Sequence, residues 1–368
     1  MAPQTPAEPQ VVPVRLAGHS YDIVIRPGLL SEIGVRLRPL TRSTKIALVY
    51  DSNLPAAHRA AAKTSLAGAF QQVIECEVPP GEDHKTVATV DSLYGQILRH
   101  GIDRQTPIVA LGGGVVGDTA GFVAATVLRG VPFVQVPTTL LAMVDASVGG
   151  KTGVNHAVGK NLVGSFHQPI AVFADPAVLA TLPPRELRGG LAECIKHDII
   201  RDADGFASLE QNIGWALALD VKFLTTLIAH NVAIKARVVE ADPFESGERA
   251  HLNFGHTFGH AIENVSHYAY SHGESVALGM AAAAQLATDL GMLDDASRRR
   301  IVILIEKAGL PARGMRLDVG AVVDAMAYDK KAKSGRLRFI LPDRIGHVVI
   351  RDDVPAAMVR DAVESLRG

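Results

Sequence analysis

The sequence is poor in several features that mark particular classes of protein. It has two cysteines in 368 residues, Cys76 and Cys194, which are too few for a disulfide framework and fit a reducing compartment. Its formal net charge is −1, so no overall field attracts nucleic acid or an anionic membrane. Glycine, proline or charge interrupts every apolar run before it reaches the length of a membrane span. We therefore expect a cytoplasmic protein without nucleic-acid or membrane partners, in which local lysines and arginines bind any anion.

The pattern of apolar residues divides the chain into two halves. Residues 1–10, MAPQTPAEPQ, form a Pro-rich, flexible leader without the basic start and apolar core of a signal peptide. From residue 11 to 183, strand-like segments such as KIALVYD alternate with helical ones, which is typical of a parallel α/β sheet. After the Pro-rich LPPRE, helical periodicity dominates residues 184–368. The sequence thus predicts an α/β domain followed by a mainly helical domain.

A glycine-rich turn lies between a predicted strand and a predicted helix. GGGVVG fits the pattern G-x-G-x-x-G, in which glycines let the backbone approach a pyrophosphate at a helix N-terminus. The acidic residue expected about 20 residues later is missing, and Asp51, at the end of an earlier strand, is the candidate for the ribose hydroxyls. The alternative is a turn that only packs the helix on the sheet, and the spacing alone does not decide between the two.

Histidines are concentrated in the stretch NFGHTFGHAIENVSHYAYSHGE. A helix places His256 and His260, four residues apart, on one face, and His272 follows an irregular segment. Glu193, inside an otherwise apolar helical turn, is the candidate third ligand, and His197 is its rival. Two imidazoles and one carboxylate form a catalytic zinc set with one position open. The cluster therefore favours a metal site over separate hydrogen-bonded histidines.

Polar and cationic side chains in two further regions suit a phosphorylated and acidic ligand. The segment after the glycine turn offers Thr138, Thr139, Asp145, Lys151, Lys160 and Asn161, and we expect it to be a flexible loop. The helical half offers Lys196, Lys235, Arg249, Lys330 and Lys331. For each of them the alternative is a solvated surface side chain; Arg249 and Asn253 are favoured because they precede His256 at helical spacings.

Seven segments, in order along nearly the whole chain, resemble 3-dehydroquinate synthase. They are LGGGVVGD, VPTTLLAMVDASVGGKTGVN, GKNLVGSFHQP, LPPRELRGGLAECIKH, NFGHTFGHAIE, HGESVALGM and DKKAKSGRLRFILP. The resemblance implies a Rossmann-like NAD-binding domain at 11–183, a mainly α-helical metal- and substrate-binding domain at 184–368, and a homodimer.

The activity that the resemblance implies is that of a carbon–oxygen lyase of the shikimate pathway. It converts 3-deoxy-D-arabino-heptulosonate 7-phosphate to 3-dehydroquinate and phosphate with NAD and a divalent metal, zinc before cobalt. The expected sequence is transient oxidation of a hydroxyl, phosphate elimination, reduction, ring opening and an intramolecular aldol.

By position, the resemblance makes Glu193, His256 and His272 the metal ligands, so that His197 is no longer a candidate ligand. It assigns to the NAD side Asp51, Glu82, Lys85, Gly114, Val115, Asp118, Thr138, Thr139, Asp145, Lys151 and Lys160. It places around the substrate Asp145, Lys151, Lys160, Asn161, Lys196, Lys235, Arg249, Asn253, His260 and either Lys330 or Lys331, of which Lys331 is preferred. Arg129 is expected to reach the phosphate site of a neighbouring subunit, and Glu245 and His260 to relay protons near the metal.

Three other functions compete with this interpretation. One is another sugar-phosphate cyclase, making 2-deoxy-scyllo-inosose or 2-epi-5-epi-valiolone; Lys235, Arg249 and Asn253 instead suit a substrate that carries a carboxylate. The second is a metal-dependent polyol dehydrogenase, which shares the glycine turn and a metal-binding helical half. The third is a catalytically silent NAD or metal sensor, which would not need the set of cations.

Overall fold

The computed structural model describes residues 8–245, 247–332 and 337–368, and for residues 327–332 only the backbone. They form two compact units. The first runs to Pro183 and also contains Val221–Pro243; the second contains Pro184–Asp220 and the chain from Phe244 onward. The α/β and mainly helical classes predicted for the two halves are confirmed. None of the helices in these ranges is both long and apolar enough to cross a bilayer.

A seven-stranded sheet forms the centre of the first unit. The strands of this unit are β1 (Gln10–Leu16), β2 (His19–Ile25), β3 (Lys45–Asp51), β4 (Gln72–Val78), β5 (Ile108–Gly112), β6 (Phe133–Pro137), β7 (Lys151–His156), β8 (Gly159–Phe166) and β9 (Ala171–Ala174). The sheet has the order β1-β2-β9-β6-β5-β3-β4, and every pair except β1–β2 is parallel. Parallel pairing buries both faces, which explains the continuous apolar runs of β3 and β5.

The helices of the first unit cover that sheet. They are α1 (Ile33–Leu37), α2 (Ala56–Ala67), α3 (Val87–Leu98), α4 (Gly114–Thr126) and α7 (Val221–Ala241). Side chains of β5, α3 and α4, among them Ala110, Leu93 and Val123, are buried in one apolar cluster. This packing fixes α4, and with it the glycine turn at its start, at the carboxyl end of β5.

The strands β7 and β8 correct one expectation from the sequence. The segment that was predicted to be a flexible loop contains an antiparallel hairpin, in which Thr152 pairs with Ser165 and Val154 with Val163. Val154 is fully buried in the core cluster, so one apolar side chain anchors the hairpin to the unit. Glycines at 153 and 164 had concealed the alternation; a Cβ at Gly153 would lie 2.5 Å from the carbonyl oxygen of Val163.

The helix α7 belongs to the first unit, although the sequence placed it in the helical half. It packs against β1, β2 and the turn Ala142–Ala146, with Leu224, Ile228 and Val232 fully buried. Glu240 near its end accepts a hydrogen bond of 2.6 Å from the backbone N–H of Arg15 on the edge strand β1. An edge strand needs such cover, because its backbone groups would otherwise be unpaired.

In its described residues, the second unit is a helical assembly with one short hairpin. Its helices are α5 (Pro184–Arg201), α6 (Ala203–Leu217), α8 (His256–Val265), α9 (His272–Asp289), α10 (Asp295–Lys307), α11 (Val319–Ala332) and α12 (Ala356–Glu364), and its strands are β10 (Phe339–Arg344) and β11 (His347–Arg351). α9 is buried over most of its length and contacts α5, α8, α10 and α12. It is the central helix of this unit.

Glycines set the distances between α9 and its two partners α5 and α8. A Cβ at Gly279 would lie 2.0 Å from the carbonyl oxygen of Gly255, and a Cβ at Gly273 would lie 2.3 Å from the Cα of Gly189. No side chain fits at such contacts, so the backbones touch directly. The helix starts and the middle of α5 are thereby brought within side-chain reach of one another.

We predict that Gly279→Ala lowers the free energy of unfolding by about 1–3 kcal/mol, because the new methyl group forces α8 and α9 apart. The matched control is Gly214→Ala in the exposed interior of α6, where a Cβ meets nothing within 4 Å. That change should be neutral or stabilise by up to about 1 kcal/mol. Urea unfolding followed by circular dichroism measures both, and equal midpoints for the two variants would refute the tight contact.

Candidate functional site

Three side chains of the second unit converge at a candidate metal centre. The Oε1 atom of Glu193, from the middle of α5, lies 3.8 Å from the Nε2 atom of His256 and 3.6 Å from the Nε2 atom of His272. One ligand atom from each residue lies within 4.8 Å of the others. Two imidazole nitrogens and one carboxylate at these separations fit a tetrahedral ion such as zinc or cobalt, with a fourth position open.

The ring orientation of His256 is set by the main chain. Its Nδ1 atom lies 3.1 Å from the carbonyl oxygen of Phe254, which can only accept, so Nδ1 carries the proton. The Nε2 lone pair is therefore directed at Glu193. Burial lowers the pKa of His256 well below its usual value, the charge of Lys196 adds to this effect, and Glu193 opposes it. His256 is thus a neutral imidazole at physiological pH, the form that binds metals.

His272 lies between two carboxylates. Burial by itself lowers the pKa of His272, but hydrogen bonds and charge from Glu193 and Glu263 outweigh burial and raise it to about 9. The Nδ1 atom lies 3.5 Å from Oε2 of Glu263, on the side of the ring away from Glu193. A cation that binds the Nε2 atom of His272 has to displace a proton. Sequence reasoning missed Glu263; the only available signal was its position two helical turns after His256.

The start of α9, where His272 is placed, is fixed by a separate network. Ser271 accepts from the backbone N–H of Glu274, and the Glu274 carboxylate accepts from that of Ser271 at 2.8 Å, which is a capping box. Arg185 of α5 binds Glu274 through two hydrogen bonds and donates to the carbonyl oxygen of Ala269 at 2.8 Å. The sequence HGE therefore combines a candidate ligand, His272, with the glutamate that completes the N-terminal capping box of its helix.

Other predicted residues of the second unit lie next to the three ligands or on the turn before them. Lys196 forms an ion pair with Glu193 and is 2% exposed. The ring of His260 lies 5.2 Å from that of His256. Asn253 donates to Glu245 at 2.9 Å, and Arg249 is buried in the same short 3-10 turn, Glu248–Asn253. The side chains of Lys330 and Lys331 lie outside the described part of the structure.

The glycine turn of the first unit lies where the order of the strands reverses. From β3 the chain continues to β4 on one side, and from β5 it continues to β6 on the other. Such a switch point creates a crevice at the carboxyl ends of parallel strands. Gly114 and Val115 begin α4 there and are partly exposed, so that the N–H groups of the first helical turn can reach a pyrophosphate.

Neighbouring strand ends bring further predicted residues to the same edge. Asp51 ends β3 next to β5; burial raises the pKa of its carboxyl, and its Oδ1 atom accepts from the backbone N–H of Asn53 at 2.9 Å. Thr138 and Thr139 follow β6 on the other side, and the backbone N–H of Thr138 donates to Gly112 at 2.9 Å. The topology therefore gathers these residues from separate parts of the sequence.

The buried side chain of Lys85, which precedes α3, connects α4 with β8. The Nζ atom of Lys85 donates to Asp118 of α4 at 2.6 Å and to Asn161 of β8 at 2.5 Å. Burial raises the pKa of Asp118, although Lys85 opposes the shift. Glu82 accepts from Asn155 of β7 at 2.8 Å, and the backbone N–H of Asn155 donates to the carbonyl oxygen of Lys85 at 2.8 Å. Asn155 was not predicted, because an asparagine within VNHAVGKN reads as a turn residue.

The remaining predicted residues of the first unit are less concentrated. Lys235 of α7 is buried and donates to the side chain of Asp145 at 2.6 Å and to its carbonyl oxygen at 2.5 Å. Lys151 and Lys160 lie on β7 and β8. Arg129 is exposed after the end of α4, with a left-handed backbone at φ 64°.

Comparison with known proteins places this geometry in a family. A family model described as the N-terminal part of 3-dehydroquinate synthase matches residues 75–189, and one described as the C-terminal part matches residues 190–332. The 3-dehydroquinate synthase of Nostoc punctiforme is 44% identical over 97% of this chain and 99% of its own length.

Two solved structures of similar proteins carry bound groups. A 2-deoxy-scyllo-inosose synthase complexed with carbaglucose-6-phosphate, NAD+ and Co2+ has a TM-score of 0.89 at 27% identity, covering 97% of this chain and 100% of that one. A 2-epi-5-epi-valiolone synthase from Streptomyces hygroscopicus with NAD+ and Zn2+ bound has a TM-score of 0.87 at 29% identity, covering 96% and 98%. Since both family models match consecutive parts of the sequence and the curated relative matches end to end, this chain belongs to the 3-dehydroquinate synthase family.

Proposed function

We propose that this protein is an NAD- and metal-dependent enzyme that converts 3-deoxy-D-arabino-heptulosonate 7-phosphate to 3-dehydroquinate and phosphate, a carbon–oxygen lyase of the shikimate pathway. The observation that carries the proposal is the convergence of Glu193, His256 and His272 in a chain that is 44% identical to a named 3-dehydroquinate synthase over 99% of its length.

The metal is assigned to Glu193, His256 and His272. Zinc or cobalt bound there supplies Lewis-acid polarisation of a substrate hydroxyl. The protein contributes a neutral imidazole at His256 and a carboxylate at Glu193 that is already paired with Lys196. Lys196 is assigned to the substrate, which it can contact when the cation shares the charge of Glu193.

Proton movement is assigned to His260 and Glu245. The His260 ring lies edge-on to His256 at 5.2 Å between ring centres, one helical turn along α8. Glu245 holds the side-chain amide of Asn253 at 2.9 Å, so that the amide is oriented for a substrate hydroxyl or carboxylate. Arg249, buried on the same turn, is assigned to the substrate carboxylate, for which a planar guanidinium is well suited.

The nucleotide is assigned to the first unit. The open first turn of α4 at Gly114 and Val115 suits the pyrophosphate, and Asp51 at the neighbouring strand end suits the ribose hydroxyls. Also assigned to this side are Glu82, Lys85, Asp118, Thr138, Thr139, Asp145, Lys151 and Lys160. Residues 11–183 then form the NAD-binding domain, with α7 packed against it. Residues 184–368 supply the metal ligands and most of the substrate contacts.

Rival functions are separated by substrate and by redox balance. Purified enzyme with NAD and zinc is incubated with 3-deoxy-D-arabino-heptulosonate 7-phosphate, sedoheptulose 7-phosphate or glucose 6-phosphate, and released phosphate is measured. Only the first should react, without net NADH formation, because the nicotinamide returns to its starting state. Turnover of either other sugar phosphate would indicate a different cyclase, and accumulation of NADH with an alcohol would indicate a dehydrogenase.

We predict that His256→Ala weakens zinc binding by more than about 100-fold and abolishes phosphate release, because a direct ligand is lost. The control is His267→Asn, which removes an exposed histidine of the same stretch at φ 48°, a conformation that asparagine tolerates. It should leave both properties unchanged. Zinc affinity is measured by competition with a chelator; an active, zinc-free His256→Ala enzyme would exclude the assigned centre.

We predict that Lys85→Met weakens NAD binding by about 10-fold or more, because it removes the cation from the nucleotide site and leaves Asp118 buried without it. Zinc affinity should not change. The control is Lys63→Met, which breaks an ion pair with Glu75 at a lysine that is 52% exposed. Calorimetric titration with NAD compares the variants, and equal affinities would remove Lys85 from the site.

We also propose a homodimer in which Arg129 completes the phosphate site of the partner subunit; its exposure is compatible with such a role. Arg129→Ala and His256→Ala chains are each expected to be inactive. An equal mixture of the two chains should regain about a quarter of wild-type activity, because about half of its dimers are hybrids and each hybrid has one complete site of two. Inactive mixtures, despite hybrids detected by mass spectrometry, would mean that Arg129 acts within its own chain.

A further inference from the structure

The His272 imidazole is held on both sides by carboxylates. Its Nε2 atom lies 3.6 Å from Glu193, and its Nδ1 atom lies 3.5 Å from Oε2 of Glu263. Glu263 belongs to α8, and its side chain is only 11% exposed. Burying a carboxylate costs several kcal/mol unless a charged or donating group faces it. The direct contact with the Nδ1 side of His272 gives this buried charge a specific location.

The other imidazole of the centre is held differently. The Nδ1–H of His256 donates to the carbonyl oxygen of Phe254, a neutral acceptor that is part of the main chain. The side chain of His256 is 13% exposed, whereas that of His272 is 35% exposed. His272 has less packing to hold its ring and therefore depends more on a strong acceptor at Nδ1.

We propose that Glu263 is a positioning residue that orients His272 for the metal. The carboxylate accepts the Nδ1–H, which fixes the tautomer with the Nε2 lone pair turned toward Glu193 and the ion, and it makes the imidazole a stronger donor. The inference rests on the proposed function, because it takes Glu193, His256 and His272 as the metal ligands. It adds a residue that acts through His272 and touches neither substrate nor nucleotide.

The contact depends on the crossing of α8 and α9. His272 begins α9, and Glu263 lies near the end of α8, with the loop between them turning back at His267 and Tyr268. The backbone contact of Gly279 with Gly255 fixes the spacing of the two helices. A carboxylate of glutamate length on α8 then reaches Nδ1, while an amide in its place keeps the shape but loses the charge.

The test compares zinc affinity in Glu263→Gln and in a matched control, Glu210→Gln. The control makes the same chemical change in α6 of the same unit, where Glu210 binds Arg300 and is 22% exposed. We expect Glu263→Gln to weaken zinc binding by about 10- to 100-fold. Glu210→Gln should keep zinc affinity within about threefold. A loss in Glu263→Gln no larger than in the control overturns the proposal.

A double-mutant cycle tests whether the effect passes through His272. In a His272→Ala background, Glu263→Gln should change zinc affinity by less than about threefold, because the ring that it orients is gone. An equal loss in both backgrounds overturns the proposal. If wild-type protein binds no zinc, or if His272→Ala binds it as tightly as wild type, the metal centre itself is wrong and the inference fails with it.

A measurement on the wild-type protein does not depend on whether the variants fold. Nuclear magnetic resonance of isotope-labelled histidine in the zinc-loaded protein reports which ring nitrogen of His272 binds the ion. We expect coordination by Nε2 and a hydrogen-bonded Nδ1–H protected from exchange with water. Coordination by Nδ1, or an Nδ1–H that exchanges freely, overturns the proposal.

Discussion

The carboxylate of Glu193, fully buried in the middle of α5, is the charge on which the second unit depends. Removing a carboxylate from water costs several kcal/mol after relaxation, so the fold has to surround it with cations or donors. Lys196 lies one turn away on the same helix, and the two imidazoles approach from α8 and α9. Their approach requires helix backbones in direct contact, which explains glycine at positions 255, 273 and 279.

In the first unit the buried charge is a cation, the ammonium group of Lys85. Lys85 follows β4 and is 4% exposed, yet its ammonium group meets oxygens from two distant elements, Asp118 and Asn161. Because β7 and β8 form an ordered hairpin, Asn161 has a fixed position, with a left-handed backbone at φ 55°. Asn155, on the same hairpin, binds the segment before α3 through both its backbone and its side chain. The hairpin thus connects predicted nucleotide and substrate residues within one unit.

Local patterns in the sequence predicted the features of the fold that arise within a few consecutive residues. Strand and helix alternation indicated the parallel sheet, and the glycine turn was placed correctly between β5 and α4, since both features occur within a few consecutive residues. The hairpin of β7 and β8 was missed because glycine and polar residues hide its alternation. The sequence assigned α7 to the helical half because its apolar face is compatible with either half. Its packing against β1 shows that it belongs to the first unit. Glu263 was overlooked because its role depends on how α8 crosses α9, which no spacing within α8 reveals.

The two imidazoles that face the Glu193 carboxylate have pKa values shifted in opposite directions. Both face Glu193, yet the pKa of His256 is lowered and that of His272 is raised to about 9. For His256, burial and the nearby Lys196 dominate, and its Nδ1 meets only a neutral carbonyl oxygen. For His272, the hydrogen bond with Glu193 has the largest raising effect on the pKa, Glu263 at Nδ1 adds to it, and together the two carboxylates outweigh burial. Glu193 faces both rings, so the difference between them follows from their other neighbours: the charge of Lys196 lowers the pKa of His256, whereas Glu263 at Nδ1 adds to the effect of Glu193 and raises that of His272.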